Sequence, residues 1–503
     1  MKVVVIGSGI SGLTAAGLLA RAGHDVTVLE QFETIGGVTA TIEQDGYRWD
    51  LGPMLVPDMM PNEPGGKVLE KLGIADSVPL AKSYRGNVFK DFEVFRPDEY
   101  TTPYGRRERL KELFPHETKG LDGYYRFHER VMDVISLYGQ EGFAAKVKFF
   151  LKLLTILPRK NWSARKLMDR YFTDEKLVAA FIGMLADYTT HPEEFPAIFV
   201  PFINPEACFD ERTELDYPGH EHRSTWTAVV GGMQILVDAL AEALERFGGT
   251  IKTDCPVKKI DIEKGQVRGV ILEGGERVDA DIVLASGGAR ELFENMVGRE
   301  HLPEKFYKKH LDDFSETDSV FMVHLGVDYD PTVHQHDAPL CYYYMTYDIP
   351  GAIEELEENI YHEGKDGFLV FCLSAISPDM APTGHHAVTV YTIAPNYPKN
   401  GSWEKDKERW ADTLLEYAEE YIPGLREHTK TRVIVTPEDF RKRTYLKHHA
   451  FGGCTPRLGK HPIEAKTPIE GLWFIGAQSE TFGGVISGIT GANRVVDRIL
   501  KGK

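Results

Sequence analysis

The chain is short of cysteine, of long apolar runs and of positive charge, and each shortage removes a class of function. Five cysteines (Cys208, Cys255, Cys341, Cys372 and Cys454) are scattered over 503 residues with no C-x-x-C pair. That pattern supports neither a disulfide framework nor a zinc site, so no metal is expected and a reducing compartment fits. No stretch approaches the roughly 20 apolar residues needed to cross a bilayer. The N-terminal MKVVVIGSG runs from one lysine straight into glycines rather than into a leader's cleavage site. A cytoplasmic protein is expected, attached at most peripherally to a membrane. Lysine and arginine number 58 against 76 acidic residues, a formal charge of −18. This excess of acid argues against nucleic acid, whose binders need a basic face to displace counterions. H-E-x-x-H, P-loop and Ser/His/Asp signatures are missing as well, which disfavours hydrolysis and phosphoryl transfer.

What is there begins at the first residues. Lys2 to Ile6 is a short β-branched run of the kind that forms a buried parallel strand. It leads into Gly7-Ser8-Gly9-Ile10-Ser11-Gly12, a G-x-G-x-x-G, and then into LTAAGLLARAGH, whose spacing is helical. A second strand, Asp25 to Leu29, ends on Glu30, close to the offset of about 20 residues expected for a ribose-binding acid. Each part has a mechanical reason. Gly7 permits the tight turn, Gly9 lets the backbone approach a pyrophosphate, and Gly12 lets the helix sit against the strand. The amides at the helix start then face the phosphates with a favourable dipole.

The continuation favours FAD over a nicotinamide dinucleotide. Gln31, Gly36, Gly37, Val38 and Thr39 follow Glu30, and Asp45 to Pro53 includes Gly52-Pro53. A simple dehydrogenase would proceed to a third strand and crossover helix. Here a glycine-rich turn and a short hairpin are expected instead, able to lie along an extended FAD.

On these residues the chain resembles the phytoene desaturase family, which also holds carotenoid isomerases and retinol saturases. The resemblance continues at Val230-Gly231-Gly232-Met233, at Cys255 to Ile260, at Ile422-Pro423-Gly424-Leu425 and at Thr436 to Phe440. It closes on Gly471 to Ala477 and Phe482-Gly483-Gly484-Val485-Ile486-Ser487-Gly488. The resemblance implies noncovalent FAD, with Val257 at the adenine end through its backbone. It places Gly476, Ala477, Gly484, Val485 and Ile486 around the flavin ring. Three departures stand out. Val38 occupies a position that is often basic, Gly287-Gly288 replaces a more usual Asn-Ala, and Val-Ile-Ser-Gly replaces Val-Pro-Gly.

The expected architecture is an α/β Rossmann-type FAD-binding domain, discontinuous over 1–75, 225–300 and 441–503. An inserted α+β substrate domain would comprise a helical part, 76–224, and a mixed-sheet part, 301–440. In the latter, SVFMVHLGV, FLVFCLSA and HAVTVYTIA read as strands, with a helix from Lys405 to Tyr421 packed on them.

Outside the flavin motifs, Lys146 to Lys160 stands out. Val147, Phe150, Leu151 and Leu154 share one helical face, and Lys146, Lys148, Lys152, Arg159 and Lys160 are basic. A helix of this kind lies on an anionic membrane or forms an ordinary core helix with a solvated rim, and both readings stand. His448, His449 and His191 are weak candidates for the cavity, with a structural or surface role as the alternative. Tyr342-Tyr343-Tyr344 either lines a tunnel or divides between the two faces of a sheet.

The resemblance implies an oxidoreductase acting on C–C or C=C bonds of a hydrophobic polyene or isoprenoid lipid. The departures point to saturation or isomerisation rather than stepwise desaturation. The rivals are an FAD-dependent amine oxidase and a prenyl-binding escort protein of the GDP-dissociation inhibitor type.

Overall fold

The computed structural model describes residues 1–95, 105–137, 142–203, 225–312, 314, 317–446, 453–480 and 483–502. Apolar β-branched runs too short for helices pair side by side at its centre. Lys2–Ile6, Asp25–Leu29, Thr250–Lys252, Ile282–Ala285 and Leu472–Phe474 form one parallel sheet. Lys2–Ile6 lies in the middle of it. Strands from both ends of the chain and from its middle share this sheet, so the unit is discontinuous in sequence. The helices Ile10–Arg21, Gln234–Arg246 and Val485–Leu500 bury leucine, isoleucine and alanine faces in one core on the sheet. The segment GQVRGVILEGGERVDADIVLAS divides between two sheets. Gln266–Leu272 and Arg277–Asp279 join Val257–Glu263 in a three-stranded antiparallel sheet, while Ile282–Ala285 crosses into the parallel one.

A seven-stranded sheet builds the second unit. Its order is Thr429–Val435, Ser319–Val327, His386–Ala394, Gly367–Cys372, Leu340–Tyr344, Arg85–Phe89 and Glu93–Val94. The three strands read from the sequence lie side by side in it, and the helix Trp403–Tyr421 covers one face. Ahead of the helices that begin at Gly105, Arg85–Phe89 pairs in parallel with Leu340–Tyr344 and extends the sheet. Helices Gly105–Leu113, Thr118–Leu137, Phe143–Ile156, Ala164–Tyr171 and Glu175–Ile182 follow and share a separate aromatic-rich core. Tyr342 to Tyr344 alternate as strand geometry requires. Tyr343 packs under the Trp403–Tyr421 helix, while Tyr342 and Tyr344 face the other way.

The sheet unit is anchored by Trp410, fully buried, with its indole N–H donating to Glu363 Oε1 at 2.9 Å. Trp410→Ala is expected to cost roughly 3–5 kcal/mol of stability, as for other buried Trp-to-Ala changes. Urea denaturation followed by circular dichroism measures it. A loss below about 1 kcal/mol would mean that the sheet does not depend on this helix.

Candidate functional site

Helix Ile10–Arg21 starts directly from the end of strand Lys2–Ile6, and this close approach creates the site. A side chain on Gly12 would put its Cβ 2.1 Å from the Gly7 carbonyl oxygen, so only glycine lets the helix come this near. Ser286, at the end of the neighbouring strand, locks the turn: its hydroxyl donates to the Ile6 and Gly7 carbonyls at 2.9 and 3.1 Å. A Cβ on Gly9, in contrast, meets nothing within 4 Å, because that face is open to a cavity. The helix's first amides lack partners within the helix and point the same way.

That cavity, about 950 Å3, runs along the C-terminal edge of the parallel sheet and on into the second unit. Gly7, Gly9, Ile10 and Ser11 form its wall at the helix start. Glu30 and Gln31 border it beside them, and Gly36, Gly37, Val38 and Thr39 continue the wall, followed by Gly52 and Pro53. Val257 lines one end, while Gly476, Ala477, Gly484, Val485 and Ile486 line it from the C-terminal segment. Residues more than 400 positions apart thus meet on one surface. The hairpin expected after Gly37 is present as Thr41–Gln44 paired with Tyr47–Asp50.

Two motif residues stand behind the wall instead of on it. Ser8 is fully buried, and both its amide and its hydroxyl donate to Glu30 Oε2 at 2.8 and 2.6 Å. Gly12 is taken up by its contact with Gly7. Glu30 is 7% exposed, and its other oxygen accepts from the Phe32 amide at 2.9 Å, so the carboxylate is fixed before any ribose arrives. His191 is not on the cavity wall; its Nδ1 accepts from the Glu193 amide in a local turn. His448 and His449 lie outside the described residues.

Several wall residues had no signature in the sequence. Arg443, on helix Pro437–Thr444, donates through Nε to the Gly37 carbonyl and lies beside Glu30 and Glu33. Burial lowers its guanidinium pKa, and the two carboxylates act against that. Gln31 ties the same helix to the nucleotide end by donating to the Thr444 carbonyl at 2.7 Å. Cys454 borders the cavity with its Sγ 3.9 Å from the Gln478 carbonyl. Gln478 in turn accepts from the Ala289 amide at 2.7 Å. Arg443, Cys454 and Gln478 belong to no periodic pattern, and each reaches the wall only through long-range packing.

The residues fit FAD. Gly9 leaves open the space a pyrophosphate would take, a fixed acid stands at the ribose position, and the N-terminus of helix Val485–Leu500 opens on the same cavity. Glu30→Ala is expected to weaken FAD retention by about 1.5–3 kcal/mol, the range for charged hydrogen bonds. Gly9→Val should lose more, since its side chain fills the phosphate space. Flavin absorbance after dilution and gel filtration reads both, and full occupancy in both variants would move the nucleotide elsewhere. Acid denaturation should release about one flavin per chain, as expected for one noncovalent dinucleotide site. A flavin left on the denatured chain would implicate one of the cavity cysteines, Cys255 or Cys454.

Comparison with known proteins gives the same cofactor. Residues 10–500 match the family described as flavin containing amine oxidoreductase. A 4,4'-diapophytoene desaturase of Staphylococcus aureus is 24% identical, covering 100% of this chain and 99% of its own. A 4,4'-diapolycopen-4-al dehydrogenase of Metabacillus indicus is also 24% identical, covering 99% and 97%. Among solved structures, a putrescine oxidase bound to putrescine superposes with a TM-score of 0.63 at 16% identity, covering 100% and 99%. That likeness concerns the fold alone. FAD is the cofactor, and the chain belongs to the flavin-containing amine oxidoreductase family as an FAD-dependent oxidoreductase.

Proposed function

We propose that this oxidoreductase acts on C–C or C=C bonds of a hydrophobic polyene or isoprenoid lipid. The observation that carries this reading is the continuity of the cavity. Beyond the glycine-rich start of helix Val485–Leu500 it opens into a chamber walled by Phe195, Phe199, Trp226, Leu340 and Leu369, with the half-exposed Phe202 at its rim. Such a chamber excludes water from an apolar chain held beside the flavin end. The names of the two bacterial relatives, a desaturase and a dehydrogenase of long carotenoids, agree with a chain-like substrate. Bound FAD supplies two-electron chemistry there. The protein's part is to hold the reacting bond in place, exclude water and stabilise charge through the amides of that helix start.

Within this class we favour saturation or isomerisation over stepwise desaturation, because Val485-Ile486-Ser487 and Gly287-Gly288 depart from the carotene desaturase pattern. An anaerobic assay decides. FAD is photoreduced, polyenes or polyprenyl lipids are added, and flavin absorbance and product mass are followed together. A gain of two hydrogens indicates saturation; unchanged mass with altered geometry indicates isomerisation. Rapid bleaching of the oxidised flavin by phytoene, with loss of hydrogen, would overturn the preference. Turnover of an amine with peroxide release would overturn the substrate class.

We also infer that helix Phe143–Ile156 rests on an anionic membrane. Phe150 and Leu151 are each 59% exposed and Phe143 is 86% exposed, on a helix whose Lys146, Lys148 and Lys152 also reach solvent. Phe149 and Leu153 pack inward on the aromatic-rich core and leave the opposite face of the helix to solvent. The protein is expected to bind phosphatidylserine-containing vesicles less strongly as salt rises. Replacing Lys146, Lys148 and Lys152 by glutamate should abolish sedimentation with them. Absence of binding, or binding indifferent to salt, would return the helix to the ordinary core reading.

A further inference from the structure

The diphosphate of FAD is an anion, and it settles at the start of helix Ile10–Arg21 in a protein whose own net charge is −18. Three of the described residues that line the cavity are cations: Arg85, Lys258 and Arg443. The Arg85 guanidinium lies against the Tyr342 and Trp226 rings of the chamber, 4.8 and 5.9 Å from their centroids, and Lys258 is exposed beside Val257. Arg443 stands at the glycine turn itself. Its Nε donates to the Gly37 carbonyl. Gly37 lies against Gly9, so close that a Cβ built on it would be 3.8 Å from the Gly9 Cα. The guanidinium is thereby held at the edge of the space that Gly9 leaves open. Its central carbon is also 5.0 Å from the centroid of the Phe32 ring, a contact that orients the plane. Among the described residues, Nε is the one nitrogen of this guanidinium with a hydrogen-bond partner. Glu30 and Glu33 lie beside it without forming an ion pair, and Glu30 has both oxygens engaged by Ser8 and Phe32. Both Nη amines therefore remain to donate, in the planar fork that matches phosphate oxygens.

We propose that Arg443 is a cofactor-binding residue that donates to the FAD diphosphate, so that the sheet unit supplies the cation for the nucleotide unit. The turn residues Gly7 to Gly9 and Gly36 to Thr39 carry no charge of their own. The helix that delivers Arg443, Pro437–Thr444, begins directly after strand Thr429–Val435 of the seven-stranded sheet. Thr436 and Asp439 cap its start, each side chain accepting from the other's amide, at 3.3 and 2.9 Å. Arg441, Lys442 and Arg443 occupy its last turn, where cations oppose the negative end of the helix dipole. Gln31 holds that end against the nucleotide unit by donating to the Thr444 carbonyl at 2.7 Å. Tyr445 then takes a left-handed backbone with φ of 56°, a conformation disfavoured for a tyrosine. The helix stops there, and Arg443 to Leu446 all lie along the cavity wall. This role concerns FAD and holds for any substrate of the chamber.

Competition between bound FAD and two nucleotides of different charge tests the contact. FAD-loaded protein is diluted, ADP or adenosine is added, and free FAD is read by its fluorescence. ADP is expected to displace FAD from the wild type at concentrations at least about tenfold lower than adenosine. Arg443→Gln should bind FAD at least about tenfold more weakly and lower the preference for ADP about tenfold, because it removes a charged donor. Adenosine should bind this variant as it binds the wild type, which reports an intact fold. Arg443→Lys keeps the charge and loses the fork, so both of its values should fall between. Equal weakening of FAD, ADP and adenosine in Arg443→Gln would mean that Arg443 only fixes Gly37, and would overturn the contact. Unchanged FAD retention in that variant would overturn it too. If Arg443→Gln holds no FAD at all, the same competition on Arg443→Lys decides. A lowered preference for ADP there supports the contact, and the wild-type preference overturns it.

Discussion

Helix Ile10–Arg21 is buried from Ile10 to Ala20, and most of the molecule is arranged around that fact. A helix start inside a protein carries amides with no partner in the chain and a partial positive charge that water cannot solvate. Something anionic must meet it. The surrounding residues keep that place open: Gly9 has no side chain to fill it, and the carboxylate of Glu30 is held away by the amide and hydroxyl of Ser8. Helix Val485–Leu500 packs alongside Ile10–Arg21 in the same core, with its start on the same cavity. The cavity is thus lined by two helix starts, an arrangement suited to an extended molecule with a pyrophosphate along its length and a ring that gains charge on reduction.

The second unit solves a different problem, that of holding a long apolar object in a protein surrounded by water. One face of its sheet must be covered to fold, and helix Trp403–Tyr421 covers it. The other face is left to form a wall, and strand alternation decides which side chains appear there. Tyr343 goes to the covered side, while Tyr342 reaches the chamber beside Arg85. Which side chains this face offers to the wall therefore follows from period-two geometry.

The nucleotide half was legible because its signals are local. A turn that requires glycine, a helix that must start there and an acid at the next strand end are separated by only 18 residues, and each is set by backbone sterics. The strands Ser319–Val327 and His386–Ala394 were legible for a related reason, since short apolar runs rich in valine, threonine and aromatic residues favour strands. Gly12 packs the helix against the strand end as its place in the motif implies, while Ser8 stands behind the wall and holds Glu30. Sequence spacing places them at the turn but does not say which side of the backbone faces the ligand. For His191 the structural alternative holds, since a local turn claims its ring.

Taken alone, the sequence determined the cofactor class and the discontinuous Rossmann-type unit, through short-range motifs whose chemistry depends on neighbours along the chain. The tertiary structure alone decided what the rest of the cavity presents. Arg443 reaches Gly37 across 406 positions, and Arg85 reaches the wall because its strand pairs with Leu340–Tyr344. A lone arginine in SYRGNVF reads like any exposed edge-strand residue. Its burial follows from which strands become neighbours, and that pairing is settled by packing between segments some 250 residues apart, where no local pattern reports it.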